Sequence, residues 1–218
     1  MTLNLNLKAI SQKISQAEAK TSGEIMVVLA KQSDDYQYIP ILWAALLALS
    51  VPLIFIINRF FNDFLQLDLV LGNYGYLNIV YFVQLAVFVI AMLLVQYSGI
   101  KYKLVPKYIK HRRARRLARE QFMAQEIQAT AERTGILLFI SLAEHYVEVI
   151  ADKAIYEKLD NGVWQDIVDA LIVEIKQNNM NDGILSAIDA IGVLLNEEFP
   201  LNTEKLANEL PNHLVLLD

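Results

Sequence analysis

Two stretches of this chain leave it few ways to fold. IPILWAALLALSVPLIFII, Ile39 to Ile57, carries no charge, and neither does NIVYFVQLAVFVIAMLLVQYSGI, Asn78 to Ile100. Each is about the length that crosses the hydrocarbon core of a bilayer. Two such runs in succession are unusual in a domain of 218 residues, and the 55% hydrophobic content is high for a soluble protein. The pattern predicts a transmembrane hairpin: a first span over 39–58, a loop over 59–77 and a second span over 78–100. Pro40 stands at a helix start, where its missing N–H costs little. Pro52 falls inside the first run, where a membrane bundle tolerates a kink. Trp43, Tyr76, Tyr81, Tyr97 and Tyr102 lie near the ends, as interfacial aromatics do. Ala44, Ala45, Ala48 and Ser50 predict a close helix–helix face. Gln84 and Gln96 have no ionisable companion within the spans, which argues against a transporter or proton channel.

Sidedness follows from the flanks. The loop holds one Arg and two Asp, and its segment FFNDFLQLDLVL reads as a short amphipathic helix in the outer interface. The segment after the second span holds Lys101, Lys103, Lys107, Lys110, Arg112, Arg113, Arg115, Arg116 and Arg119, with no acid among them. Basic flanks stay in the cytoplasm, so both termini are expected there and 59–77 outside. The N-terminal segment has no basic start leading into an apolar core, so no cleaved signal is expected. These nine are almost half of the 19 Lys/Arg and leave ten against 24 acids. They read as a membrane-surface segment over 101–120, resting on anionic headgroups at about 1 kcal/mol per basic residue. Nucleic acid is not an expected partner, because no base-reading motif accompanies the basic run.

The remaining segments read as one α/β domain split by the hairpin, its first part over 1–38 and its second over 110–200. Leu7, Ile10, Ile14 and Ala17 recur at helical spacing, and Gly23 is expected to close that helix as a left-handed cap. EIMVVLA, Glu24 to Ala30, reads as a strand. Ala114, Leu117, Ala118, Ala124, Ile127 and Ala131 mark one face of a long helix ended by Thr134-Gly135. ILLFISL, Ile136 to Leu142, reads as a buried central strand, and YVEVIA, Tyr146 to Ala151, as its antiparallel partner. Asp160-Asn161-Gly162 is a turn signal. Trp164, Ile167, Val168, Leu171, Ile172 and Ile175 predict a helix, as do Ile184, Ala187, Ile188, Ile191, Leu194 and Leu195, with Asp182 as N-cap and Pro200 as stop. The tail over 201–218 is weakly patterned and is expected to dock as a short helix or stay loose. The expected fold is a small sheet of three strands between helices, interrupted by the hairpin.

TSGEIMVVLA, the run TGILLFISLAEHYVEVIADKAI and the two helices ending at Pro200 resemble the TPM domain family, and most closely its bacterial branch with two spans inside the domain. The resemblance implies an α/β sandwich and location in the bacterial cytoplasmic membrane. It also implies a choice of activities: acid phosphatase, Ca2+ binding, or an accessory role beside another membrane protein. Many members carry Asp-Asn-Gly where this chain has Arg133-Thr134-Gly135, which weakens a metal or phosphatase role there.

With no cysteine, thiolate metal sites and a Cys nucleophile are excluded. Strand alternation puts Glu148 and Asp152 on one face. With Glu24 on a neighbouring strand they could hold a divalent cation through oxygen, Ca2+ being the one such cofactor considered. Asp152-Lys153 reads equally as a strand-end ion pair. Asp34-Asp35 and Asp160-Asn161 are further acidic loops. His145 reads as an exposed turn residue, and His111 and His213 stand at no ligand spacing from it. No catalytic residue is assigned. The expected function is that of a membrane-anchored binding or adaptor module for another protein, or a homo-oligomer. The alternative is the phosphatase or Ca2+-binding module that the resemblance implies.

Overall fold

The computed structural model describes residues 5–64, 73–159, 161–201 and 209–217, with the side chains of 59, 62–64, 73–76 and 161 left out. In chain order the elements are α1 (Leu7–Glu18), β1 (Glu24–Ala30), α2 (Tyr38–Phe64), α3 (Asn73–Tyr97), α4 (Lys101–Leu104) and α5 (Lys107–Ala124). They continue with β2 (Gly135–Ser141), β3 (Tyr146–Ala151), α6 (Lys153–Lys158), α7 (Asn161–Lys176), α8 (Met180–Glu198) and β4 (Leu214–Leu217). They form two units, one of residues 1–34 with 108–218 and one of 35–107.

The first unit is an α/β sandwich around a mixed sheet in the order β3-β2-β1-β4. β1 and β2 run parallel, with Glu24 opposite Gly135 and Ala30 opposite Ser141. Every residue of both strands is buried. This is why they read as continuous apolar runs: a central strand covered on both faces has no solvent side to mark with polar residues. β3 pairs antiparallel with β2 through a tight turn, in which His145 takes φ +52°. Ile25, Val27, Leu29, Ile136, Leu138 and Ile140 face one core, filled from α1, α7 and α8 by Ile10, Ile14, Trp164, Leu171, Ile184, Ile191 and Leu195. Met26, Val28, Leu137 and Phe139 face the other, covered by Ala114, Ala118 and Phe122 of α5.

Several local expectations are corrected. The tail is neither helical nor loose at its end: β4 joins the sheet parallel to β1, with Leu214 opposite Val27 and Leu217 opposite Ala30. The sheet therefore has four strands, not three. The long helix stops at Ala124, not at Gly135; Glu126 turns left-handed at φ +54°, and a 3-10 turn over Ile127–Ala129 buries Ile127. Neither Gly23 nor Gly135 is left-handed, the one such glycine among the described residues being Gly99. Both are glycine for close approach. A Cβ on Gly23 would stand 2.8 Å from a Leu195 methyl, and one on Gly135 would stand 2.5 Å from both Cγ2 and the carbonyl oxygen of Ile127. Asn179, not Asp182, occupies the N-cap of α8. Asp152 caps α6, its carboxylate accepting from the Lys153 N–H at 2.7 Å, while the Lys153 ammonium pairs with Glu157 instead.

The second unit is the helical hairpin. It contains two 21-residue segments, Tyr38–Asn58 and Leu77–Tyr97, long and apolar enough to cross a membrane. Only 28% of the most apolar stretch of the first and 17% of the second is buried. Core helices of a soluble protein would be mostly buried, so these side chains have the exposure of a lipid-facing pair. α2 packs against α3, and Ala44, Ala48 and Val51 are buried along it at intervals of four and three residues. Small residues at that spacing let two helix backbones approach closely. Pro52 stays within α2, and just before it the Ser50 hydroxyl donates to the Leu47 carbonyl at 2.6 Å. The two ends of the hairpin are joined: Tyr36 meets Tyr102 edge to face at 5.9 Å, and the Lys101 ammonium donates to the Asp35 carbonyl at 3.1 Å. The expected interfacial helix over 60–71 lies partly outside the described residues, and residues 60–64 are a continuation of α2.

Candidate functional site

Strand register fixes where the acidic candidates stand. Glu24 is opposite Gly135 on β1, and the Asp152 N–H bonds the Gly135 carbonyl at 2.9 Å from the other side. Glu24 and Asp152 therefore flank Gly135 at one end of the sheet, both buried. Glu148 is opposite Phe139, four residues up β3 from Asp152, or ~13 Å at strand rise. It accepts from the Tyr146 phenol at 3.0 Å and pairs with Arg115 at 3.2 Å. Burial, with the Glu148 carboxylate beside it, pushes that phenol well above its ordinary range. The expected trio is thus spread apart, with Glu24 and Asp152 on either side of β2, about two strand spacings of ~4.8 Å from one another, and Glu148 committed to Arg115. Among the described residues no three His, Asp or Glu side chains converge as a metal group would. One oxygen of Asp152 is buried with no hydrogen-bond partner among the described residues.

The histidines are also dispersed. His145 is exposed in its turn, and His111 packs its ring 5.2 Å from Tyr146. Asp34 forms a 3.0 Å ion pair with Arg113. Asp160 lies outside the described residues, and Asn161 opens α7 rather than a loop.

A buried carboxylate in the β2–β3 turn organises the opposite end of the sheet. Glu144, 2% exposed, accepts from the Ser141 hydroxyl at 2.5 Å and from the Ser33 N–H at 3.0 Å. The Ser33 and Ser141 hydroxyls are 2.7 Å apart. Charge-assisted hydrogen bonds to a buried carboxylate contribute roughly 1.5–3 kcal/mol each. They tie the chain leaving β1 to the β2–β3 turn. Ser33 and Glu144 stand on opposite sides of the hairpin insertion, so no local pattern could have paired them.

The membrane-surface set proves heterogeneous. Lys101 is engaged at the joined ends of the hairpin. Arg113, half-buried, is turned toward Asp34. Arg116 pairs with Glu120 at 2.7 Å along the helix. Among the described residues neither Arg112 nor Arg119 forms an ion pair; Arg112 lies over the Tyr108 ring at 5.9 Å. Between α5 and β3 opens a hollow of about 840 Å³, rimmed by Arg112, Arg115, Arg116, Arg119 and Glu120, with apolar lining from Phe122, Met123 and Ile150.

The sheet also separates charge. Its α5 side carries this arginine row. On the other side α7 and α8 expose Asp166, Asp169, Asp182, Asp189, Glu197 and Glu198, with Lys176 as the one base on those two helices, while α1 beside them carries Lys8 and Lys13, and Lys13 pairs with Asp189.

Comparison with known proteins bears on the fold. Residues 96–194 match the model of the TPM domain family. No curated protein matches the chain. Among solved structures, the NMR structure of the BA42 protein from the psychrophilic bacterium Bizionia argentinensis is similar, with a TM-score of 0.58 and 18% identity. The similarity covers 99% of this chain and 97% of that one. At that identity the likeness is one of fold.

Proposed function

We propose, from the premise that this chain carries a TPM domain, that it is an integral membrane protein holding the domain at the cytoplasmic face as an adaptor for another protein. The observation that carries this reading is the exposed acidic face of α7, Asp166 and Asp169, set across the sheet from the arginine row of α5. The two sides are at least two helix diameters of ~10 Å apart, more than the Debye length of ~8 Å at physiological salt. Each therefore acts on its own surroundings. The basic side suits the anionic leaflet, and the acidic α7–α8 side suits a partner with a basic surface. Glu144 and Glu148, which acid–base chemistry would draw on, are instead held in structural bonds. The family model's label names a phosphatase, and the family resemblance implies Ca2+ binding in some members. Both would rest on Glu24 and Asp152, two carboxylates where Ca2+ takes six to eight oxygens.

Two measurements test the reading. A reporter fused after Leu67 is expected to be active only outside the cell, and one at the C-terminus only inside. A cytoplasmic Leu67 reporter would overturn the topology. In-cell crosslinking, followed by purification in mild detergent, is expected to retain one protein in stoichiometric amount, released when Asp166 and Asp169 are both changed to Lys. A clean monomer from several gentle detergents would remove the adaptor role.

A further inference from the structure

We infer that the hollow between α5 and β3 is a binding site for the headgroup of an anionic phospholipid. The inference rests on the membrane-anchored reading and adds a defined ligand site to it.

The helix itself has the composition such a site needs. Tyr108, Arg112, Arg115, Arg119 and Met123 follow one another at spacings of four, three, four and four residues, which places them in one stripe along α5. Tyr108 is 73% and Met123 61% exposed, so large side chains bracket the arginines at both ends of the stripe. An aromatic with a polar tip and a flexible thioether suit the boundary between headgroup and acyl chain. Between them Arg112 and Arg119 stand two helical turns apart, with no acid of the described residues in ion-pair contact. Guanidinium presents a planar fork of donors that matches phosphate oxygens. Arg115 and Arg116 are already partnered by Glu148 and Glu120, so they shape the rim while the other two supply free charge.

The apolar lining argues against a soluble anion. Phe122, Met123 and Ile150 form an apolar surface beside the cations, which an inorganic phosphate would leave uncovered and a glycerol backbone with the start of an acyl chain would cover. Connectivity brings such a lipid within range. α5 opens ten residues after α3 ends, a length of chain that reaches no more than about 35 Å. The acidic residues of α7 and α8 lie across the sheet, and on this side Glu120 and Glu148 are taken up by Arg116 and Arg115, so the excess positive charge at the hollow is that of Arg112 and Arg119.

The test exploits the absence of cysteine. The full chain with Ala124→Cys, at the margin of the hollow, carries one environment-sensitive fluorophore and is reconstituted in nanodiscs. The expected result is a blue shift when phosphatidylglycerol is added to phosphatidylcholine, saturating with its mole fraction. Each neutralised arginine lowers the apparent affinity about fivefold, so Arg112→Gln with Arg119→Gln lowers it about 25-fold. Lys8→Gln with Lys20→Gln, two exposed lysines at the ends of α1 and outside the basic segment, leaves it within about twofold. Equal emission in the two lipid compositions would overturn the site, as would equal losses from the two double variants. A shift reproduced in pure phosphatidylcholine by inorganic phosphate would assign the hollow to a soluble anion and also overturn it. A chain that fails to enter nanodiscs removes the anchored reading itself, whereas one that enters with unchanged emission removes only this site.

Discussion

Deleting residues 214–218 is expected to destabilise the α/β unit by about 4 kcal/mol and to make it aggregate. β4 is only four residues long, yet it covers the outer edge of β1, a strand buried along its whole length. Its loss exposes the Leu214 site, where burial of a leucine contributes about 1.5–3 kcal/mol. It also removes the parallel ladder to Val27–Ala30 and the bond from the Lys31 N–H to the Leu217 carbonyl, each such bond contributing about 1 kcal/mol net. The uncovered edge of an apolar strand is then free to pair with another chain. The measurement is denaturant unfolding of the full chain in detergent, followed by emission of buried Trp164 with Trp43→Phe as background. Leu214→Ala keeps the ladder and should cost about half as much. A truncated chain unfolding within 0.5 kcal/mol of the intact one would show that β4 is not part of the stable sheet.

Gly135→Ala should cost about 3 kcal/mol, near the upper end of what overpacking costs. The added methyl meets the backbone carbonyl of Ile127, which no rotamer change can move aside. Ile127→Ala would therefore not rescue it. Gly23→Ala meets only the end of the Leu195 side chain, and a rotation there holds the cost to about 1 kcal/mol. The comparison separates two explanations of why glycine stands at these positions. A left-handed cap would accept asparagine at Gly135 with little loss, whereas close approach makes asparagine at least as costly as alanine. Unfolding midpoints of the three variants decide between them.

Those glycines also show how far the sequence could be read. Their position at element boundaries was visible, but the reason was not, because the atoms that crowd them belong to residues distant in sequence or beyond a turn. The spans, β1, β2 and β3 were legible since each is a run whose periodicity reflects its own burial. β4 was not: LVLL has no alternation, and a four-residue parallel strand exists only through the ladder its neighbour offers. The acidic trio failed for a similar reason. Sharing a strand face says nothing about distance along the strand, and register put Glu148 beside Arg115 rather than with Glu24 and Asp152. Composition made the row from Lys101 to Arg119 obvious, but only packing could show Arg113 turned to Asp34 and Arg112 and Arg119 without ion pairs among the described residues. Nor could the charge count reveal the hollow beside them, which depends on one helix covering a face four strands wide.

The closed base of the hairpin bears on the order of folding. β1 is synthesised before α2 and α3, and its neighbours β2 and β4 come after them, so the central ladder joins residues more than 100 positions apart. Closing so long a loop is slow, and its entropic cost grows with the logarithm of its length. The contact of Tyr36 with Tyr102 and the bond from Lys101 to Asp35 tie off 36–102 once α2 and α3 have paired. What remains to be closed between β1 and β2 is then a short path from Ala30 to the clasp and from the clasp to Gly135. The helical pair thus shortens the effective contact order of the sheet, since both strands that flank β1 follow α3 in the chain.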